Sequence, residues 1–145
     1  MGLDASEAFL GSARQRYGDL PLLRADLAAL PFPDRSFGAV LAWFSLIHAD
    51  PAELRHLLGE MVRVLAPEGS LMVGFFLGEP GHRFDHAVTP AYHWSTAALA
   101  DLLAPLGLVG RQVAERRAPG ERAVAALEAH RDPGARLEGG PRLGR

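Results

Sequence analysis

Two apolar runs without polar alternation, Gly38–Phe44 and Ser70–Phe76, bracket one strongly helical stretch. No other arrangement in the chain constrains the fold as much. The helix has a start written into it: Asp50 is placed to cap, Pro51 takes the first helical position, and Glu53 can complete a capping box. Leu54, Leu57, Leu58, Met61, Val62 and Leu65 recur at helical spacing and make one continuous apolar stripe. Pro67-Glu68-Gly69 supplies the turn out. Strands that are apolar throughout suit a sheet covered on both faces. A strand–helix–strand unit of this kind predicts parallel strands in an α/β fold.

The alternation continues on either side. Ser6 caps a first helix, whose apolar face is Phe9, Leu10, Ala13 and Tyr17 and whose stop is Gly18. Pro21–Ala25 reads as a short strand ending at Asp26, followed by a turn-rich loop from Leu30 to Phe37. After Phe76 comes a connection from Leu77 to His93, long enough to predict a functional lid or a disordered segment. Ser95 caps a further helix with Leu99, Leu102, Leu103 and Leu106 inward, and Gly107 closes it. Leu108–Ala114 reads as a strand. Glu121–Arg131 is open between helix by propensity and a last strand by its place in the alternation. From Asp132 onward Gly, Pro and Arg dominate without periodicity, which predicts a disordered, solvated tail over 132–145. The fold expected for residues 1–131 is a partial doubly wound, Rossmann-like α/β domain: a mostly parallel sheet with helices on both faces.

Composition narrows the function. A chain of 145 residues is one domain, and a net charge of -2 gives no general pull toward nucleic acid. With no cysteine there are no disulfides, thiolate metal sites or Cys nucleophile. No apolar run approaches the ~18 residues of a membrane helix, and no secretory signal is visible, so a cytoplasmic location is the default. All fifteen basic residues are Arg, a bias that suits a G+C-rich gene and carries no function.

In such sheets ligands bind beyond the carboxyl ends of the strands. Asp4, Asp26 and the Ser45–His48 turn fall at those ends. A carboxylate at Asp4 can accept from vicinal hydroxyls, and one at Asp26 from an exocyclic amine, with the apolar residues after it against a purine. Taken singly, Asp4 reads first as a helix cap and Asp26 as a turn former.

Taken together, Gly2-Leu3-Asp4-Ala5-Ser6, Ala25-Asp26-Leu27, the Leu30-Pro31-Phe32-Pro33-Asp34-Arg35-Ser36-Phe37 loop, Val40–His48 and Val62–Leu71 occur in a specific order and spacing. This pattern resembles the class I S-adenosylmethionine-dependent methyltransferases, particularly the small-molecule-modifying type 11. The resemblance implies S-adenosylmethionine as cofactor and a small-molecule methyl acceptor. It puts Asp4 at the ribose hydroxyls, and Asp26 with its neighbours Ala25 and Leu27 at the adenine. It puts Trp43, Phe44 and Ser45 against the methionine part. His48 then faces the reaction site, and the 77–93 connection folds over the acceptor. That makes His48 and His86 the candidate catalytic groups, and Tyr92 and Trp94 the aromatic substrate walls.

One departure is large. The family's first strand and Gly-x-Gly-x-Gly loop lie about 20 residues before such an acid, and only three residues precede Asp4 here. That strand is the central one, so its loss leaves two exposed edges able to pair with a second copy in a homodimer. The explanations are a start codon assigned too far downstream, a decayed remnant, or a functional short form completed by another chain. The alternative function is a non-catalytic methyltransferase-like interaction module. A metal site at His82, Asp85, His86 and His93 is disfavoured, because Pro80-Gly81 and Pro90 keep them off any common helix face.

Overall fold

The computed structural model describes residues 1–131; the expected tail over 132–145 lies outside the described residues. The chain begins with a small parallel pair, β1 (Gly2–Asp4) and β2 (Leu22–Arg24), joined through α1 (Glu7–Arg16). The Ser6 hydroxyl accepts from the Phe9 N–H at 3.4 Å, as a capping residue should. The apolar face of α1 is only partly covered: Leu10 is 2% exposed, whereas Phe9 and Tyr17 are 54% and 62% exposed.

The main sheet is built on β3 (Phe37–Trp43), α2 (Pro51–Val64) and β4 (Leu65–Leu77). β3 and β4 are parallel, as the strand–helix–strand reading requires. The Asp50 carboxylate accepts from the Ala52 N–H at 2.8 Å, and Leu54, Leu58, Met61 and Val62 are buried. The turn expected at Pro67–Gly69 is absorbed into β4 instead. Its strand pairing starts at Phe37↔Leu65 and resumes at Ala39↔Ser70, so the extra residues bulge outward, with Pro67 and Glu68 exposed.

The 77–93 connection is not a structureless lid. It contains β5 (Arg83–Phe84), paired antiparallel with β6 (Ala91–Trp94), and β6 pairs parallel with the end of β4 at Phe76↔His93 and Leu77↔Trp94. β6 thus takes up the edge of β4 just beyond the end of β3. There follow α3 (Thr96–Leu103), a 3₁₀ turn at Ala104–Leu106, β7 (Leu108–Arg116) and β8 (Val124–Arg131). The open 121–131 segment is therefore a strand. Pairing on both of its edges and burial of Ala125, Ala126, Leu127 and Ala129 override its helical propensity.

The α/β fold class is borne out, and two details of it are refined. The described residues make as many antiparallel pairings (β4–β8, β5–β6, β7–β8) as parallel ones, because β7 and β8 are joined by a connection too short for a parallel crossover. The core also lies on one face of the main sheet. Ala42, Leu71, Val73, Phe75, Ala125, Leu127 and Ala129 pack there with the apolar sides of both α2 and α3. α1 packs against β1 and β2. On the opposite face Leu41 and Trp43 are 65% and 56% exposed, so β3 is not covered on both faces.

The expected gap beside β1 is present in the pairing. β1 bonds only to β2, and β3 only to β4, so each keeps an unpaired edge among the described residues. The loop over 25–36 ties the β1–β2 unit to the main sheet. Its Leu30 is buried, and Leu27 packs on the core.

Candidate functional site

Asp4 and Asp26 lie where the chain leaves the adjacent parallel strands β1 and β2. Asp4 ends β1 in register with Arg24, and the Ala25 N–H donates to the Asp4 carbonyl at 3.2 Å, so the loops leaving β1 and β2 are bonded together. Asp4 is half-buried, and its Oδ1 accepts the Ser6 N–H at 2.7 Å. Asp26 is exposed, and its Oδ1 accepts the Ala28 N–H at 2.8 Å. In each case a backbone N–H orients the carboxylate while one oxygen remains for an external donor. The cap and turn roles weighed for these residues are thus real, and they leave room for the ligand role.

The loop bearing Asp26 and Leu27 is fastened by a guanidinium. Arg63 Nε and Nη2 form a fork on Glu60, at 2.8 and 2.9 Å. Nη2 also donates to the Leu30 carbonyl at 2.9 Å, and Nη1 donates to the Phe32 carbonyl at 2.8 Å and the Asp34 carboxylate at 2.9 Å. All five N–H donors are used. Glu60 in turn accepts the Leu30 N–H at 2.9 Å. The Arg63 fork holds the Glu60 carboxyl down to about 2, against its ordinary 4.5, and Glu60 raises Arg63 above its usual range. His56 adds a bond to the Ala28 carbonyl at 2.9 Å.

Beyond the ends of β3 and β4 lies an aromatic and imidazole cluster. Phe44 adopts a left-handed φ of 54°, rare for a residue with a Cβ, and its N–H donates to the Gly74 carbonyl at 3.1 Å. Its ring meets Trp43 at 5.4 Å and Phe76 at 5.1 Å between centroids. Phe76 meets Phe84 at 5.2 Å and His86 at 5.7 Å, and His86 meets His48 at 5.1 Å. His48 Nδ1 lies 3.0 Å from the Pro90 carbonyl, and the Tyr92 N–H donates to the Ile47 carbonyl at 2.8 Å. These bonds fasten the β5–β6 hairpin over the Ser45–His48 turn. Arg122 caps the outer side of Phe84 at 4.5 Å. His93 is held below its ordinary pKa by burial, between His82 and Phe84.

The structure therefore gathers the named residues into two groups: Asp4, Ala25, Asp26 and Leu27 on the strand ends of the small sheet, and Phe44, His48 and His86 in the aromatic cluster. Trp43 lies flat against Gly74, where an added Cβ would come within 2.8 Å of the indole. Ser45 is exposed and Tyr92 half-buried. Trp94 is not in the cluster. At 7% exposure it packs into the core beside Leu46, Leu54, Val73 and Leu99, which leaves it no face for a substrate. Phe76, Phe84 and Arg122 were missed from sequence; they come from three separate strands and turns, with no shared spacing to mark them. Among the described residues no three His, Asp or Glu side chains gather as metal ligands would.

The comparisons bear on this geometry. Residues 1–69 match a family model described as a methyltransferase domain. A demethylmenaquinone methyltransferase of Renibacterium salmoninarum is 38% identical over 76 residues, covering 52% of this chain and 31% of that protein. A ubiquinone/menaquinone biosynthesis C-methyltransferase of Bordetella avium is 38% identical over 98 residues, covering 63% of this chain and 34% of its own length. The chain thus spans about a third of the length of these relatives. The crystal structure of Burkholderia thailandensis 1,6-didemethyltoxoflavin-N1-methyltransferase, with its acceptor and S-adenosylhomocysteine bound, aligns with a TM-score of 0.70. Identity is 20%, over 89% of this chain and 59% of that one.

The fold is that of the S-adenosylmethionine-dependent methyltransferase structures it aligns with, and residues 1–69 match the methyltransferase-domain model. The residues present fit the adenosine end of that cofactor: two oriented carboxylates can accept from a ribose diol and an adenine amine. They do not supply the cradle for its methionine end. Among the described residues the strand-to-helix turns at 5–6, 44–50 and 95 contain no glycine.

Proposed function

We propose that the chain binds S-adenosylmethionine by its adenosine end and takes part in methyl transfer to a small-molecule acceptor. The observation that carries this reading is the pair of oriented carboxylates, Asp4 and Asp26, at the carboxyl ends of adjacent parallel strands. The cofactor, when bound, supplies an electrophilic methyl group on sulfur. The protein's part is to hold the reactants in line and to receive the acceptor's proton. Asp4 holds the ribose, and Asp26 with the Leu27 backbone holds the adenine. Phe44 and Ser45 turn the chain at the end of β3 toward the methionine side. Tyr92, half-buried on the hairpin, lines the acceptor side, and His48 and His86 offer imidazole nitrogens there. The named activities of the two quinone-pathway relatives favour an acceptor of small, ring-containing type.

The test is calorimetric titration with S-adenosylhomocysteine, comparing the wild-type chain with Asp4→Ala and Asp26→Ala. Binding in the wild type that weakens at least tenfold in Asp4→Ala supports the reading. A folded wild-type chain that takes up no ligand refutes it.

One observation favours a second reading, a homodimer or interaction module. The unpaired edge of β3 sits beside exposed Leu41 and Trp43, and open edges of this kind pair readily. Light scattering decides: a dimer that dissociates on Leu41→Lys supports it, and a monomer at all concentrations counts against it.

A further inference from the structure

We infer that His48 is fixed as its Nδ1–H tautomer by the Pro90 carbonyl. Its Nε2 lone pair is thereby the proton acceptor for a polar, ring-containing methyl acceptor seated against Phe76 and Phe84. The inference deepens the proposed function and rests on it for the reaction, though not for the tautomer. The partner of His48 Nδ1, at 3.0 Å, is a carbonyl oxygen, which can only accept. Nδ1 therefore carries the hydrogen. In the neutral ring Nε2 is then a bare lone pair, the form a general base needs. Free histidine prefers the opposite tautomer, so the Pro90 bond imposes a choice, as outer partners do for metal-bound and catalytic histidines.

The bond also ties the base to the hairpin. Pro90 immediately precedes β6, whose Tyr92 N–H is bonded to the Ile47 carbonyl next to His48. The neighbouring imidazole adds an independent sign of a ligand. His86, half-buried, stands 5.1 Å from His48 and packs on Phe76 and Phe84. Its Nδ1 is shielded from solvent and has no protein partner among the described residues. Buried polar atoms are nearly always satisfied, and an unpaired nitrogen on a ring packed against Phe76 and Phe84 beside a prepared base suits a ligand's hydroxyl or amine. An acceptor hydroxyl or amine seated there would give its proton to His48 Nε2, leaving its heteroatom free to attack the electrophilic methyl group that the cofactor would supply. The imidazolium then returns the proton to solvent.

The experiment is nitrogen-15 NMR of the histidine rings in the intact chain at pH 8, alone and titrated with phenol as a minimal planar hydroxyl probe. A protonated Nδ1 and an unprotonated Nε2 on His48, with phenol moving the His48 Nε2 and His86 Nδ1 resonances, is the expected result. His48→Asn keeps a donor toward Pro90 and removes the base, so it should fold, retain the hairpin and lose the phenol response. His48→Gln serves as a second variant if the Asn protein does not fold. A His48 ring with Nε2 protonated, or a phenol response unchanged in the folded variant, overturns the inference. Failure of S-adenosylhomocysteine to bind, with the tautomer and phenol results intact, would remove the methyl-transfer reading and leave the binding site.

Discussion

Replacing Arg63 with Met keeps most of the aliphatic stem and removes the fork that fastens the 25–36 loop. The Asp34 arm is worth little, because Asp34 is 72% exposed. The bonds to the Leu30 and Phe32 carbonyls contribute about 1 kcal/mol each after exchange with water. The two-point contact with Glu60, whose side chain is 17% exposed, adds about as much again. The expected loss is about 3 kcal/mol, which for a domain of this size lowers Tm by about 10 °C. Thermal unfolding by circular dichroism measures the total, and amide exchange locates it. The Leu30 N–H, bonded to Glu60, should lose protection, while amides in β4 change only with global stability. Arg63→Lys should recover less than half of the loss, since an ammonium cannot reproduce a planar five-donor fork. A Tm within about 2 °C of wild type, or unchanged protection at Leu30, would refute the claim that this residue anchors the adenine-side loop.

Other outcomes follow from the same geometry. The Glu60 carboxyl is lowered to about 2 in the folded chain, from 4.5, so its contribution to stability is complete above the unfolded value and fades as pH falls from 4.5 toward 2. Urea unfolding across that range should show the loss, and Glu60→Gln, starting from a less stable protein, should show less of it. Phe44→Gly should be about 1 kcal/mol more stable than Phe44→Ala, because only glycine takes a φ of 54° without strain; denaturant midpoints decide, and equal midpoints would deny the strain. Gly74→Ala places a methyl 2.8 Å from the Trp43 ring and should displace the half-exposed indole, changing its fluorescence while costing under about 1 kcal/mol. A wild-type spectrum in that variant would mean that Trp43 does not rest on Gly74.

Much of the fold was legible because capping and periodicity are local. Asp50, Pro51 and the leucine stripe mark α2 unambiguously, and the cap and buried face are where those residues require. The 121–131 segment was not legible, because Ala, Leu and Glu favour helix until β4 and β7 pair with both its edges. The same holds for β5 and β6: two- and four-residue strands lack the length for a period, and it is pairing to Phe76 and Leu77 that orders them. Coverage of the second sheet face was overread from Gly38–Phe44, since apolar composition states what a strand can bury and not what lies over it. At the site, Asp4 and Asp26 were visible as acids at strand ends. Phe44, His48 and His86 were named through the family resemblance, but Phe76 and Phe84, which join them into one cluster, were not, since the cluster is assembled from segments up to about forty residues apart. Arg63 was passed over because it falls off the apolar stripe of α2, where a solvated charge is the ordinary expectation.

The central claim, that Asp4 and Asp26 receive the adenosine of S-adenosylmethionine, has a direct measurement. Proton–nitrogen correlation spectra of the labelled chain titrated with S-adenosylhomocysteine report on each backbone amide. The Ser6 and Ala28 amides donate to those two carboxylates, so they and the Leu27 amide should move most, and the pattern should vanish in the Asp4→Ala, Asp26→Ala double variant. Saturable shifts confined to other parts of the chain, or a folded protein whose spectrum the ligand leaves unchanged, would contradict the account.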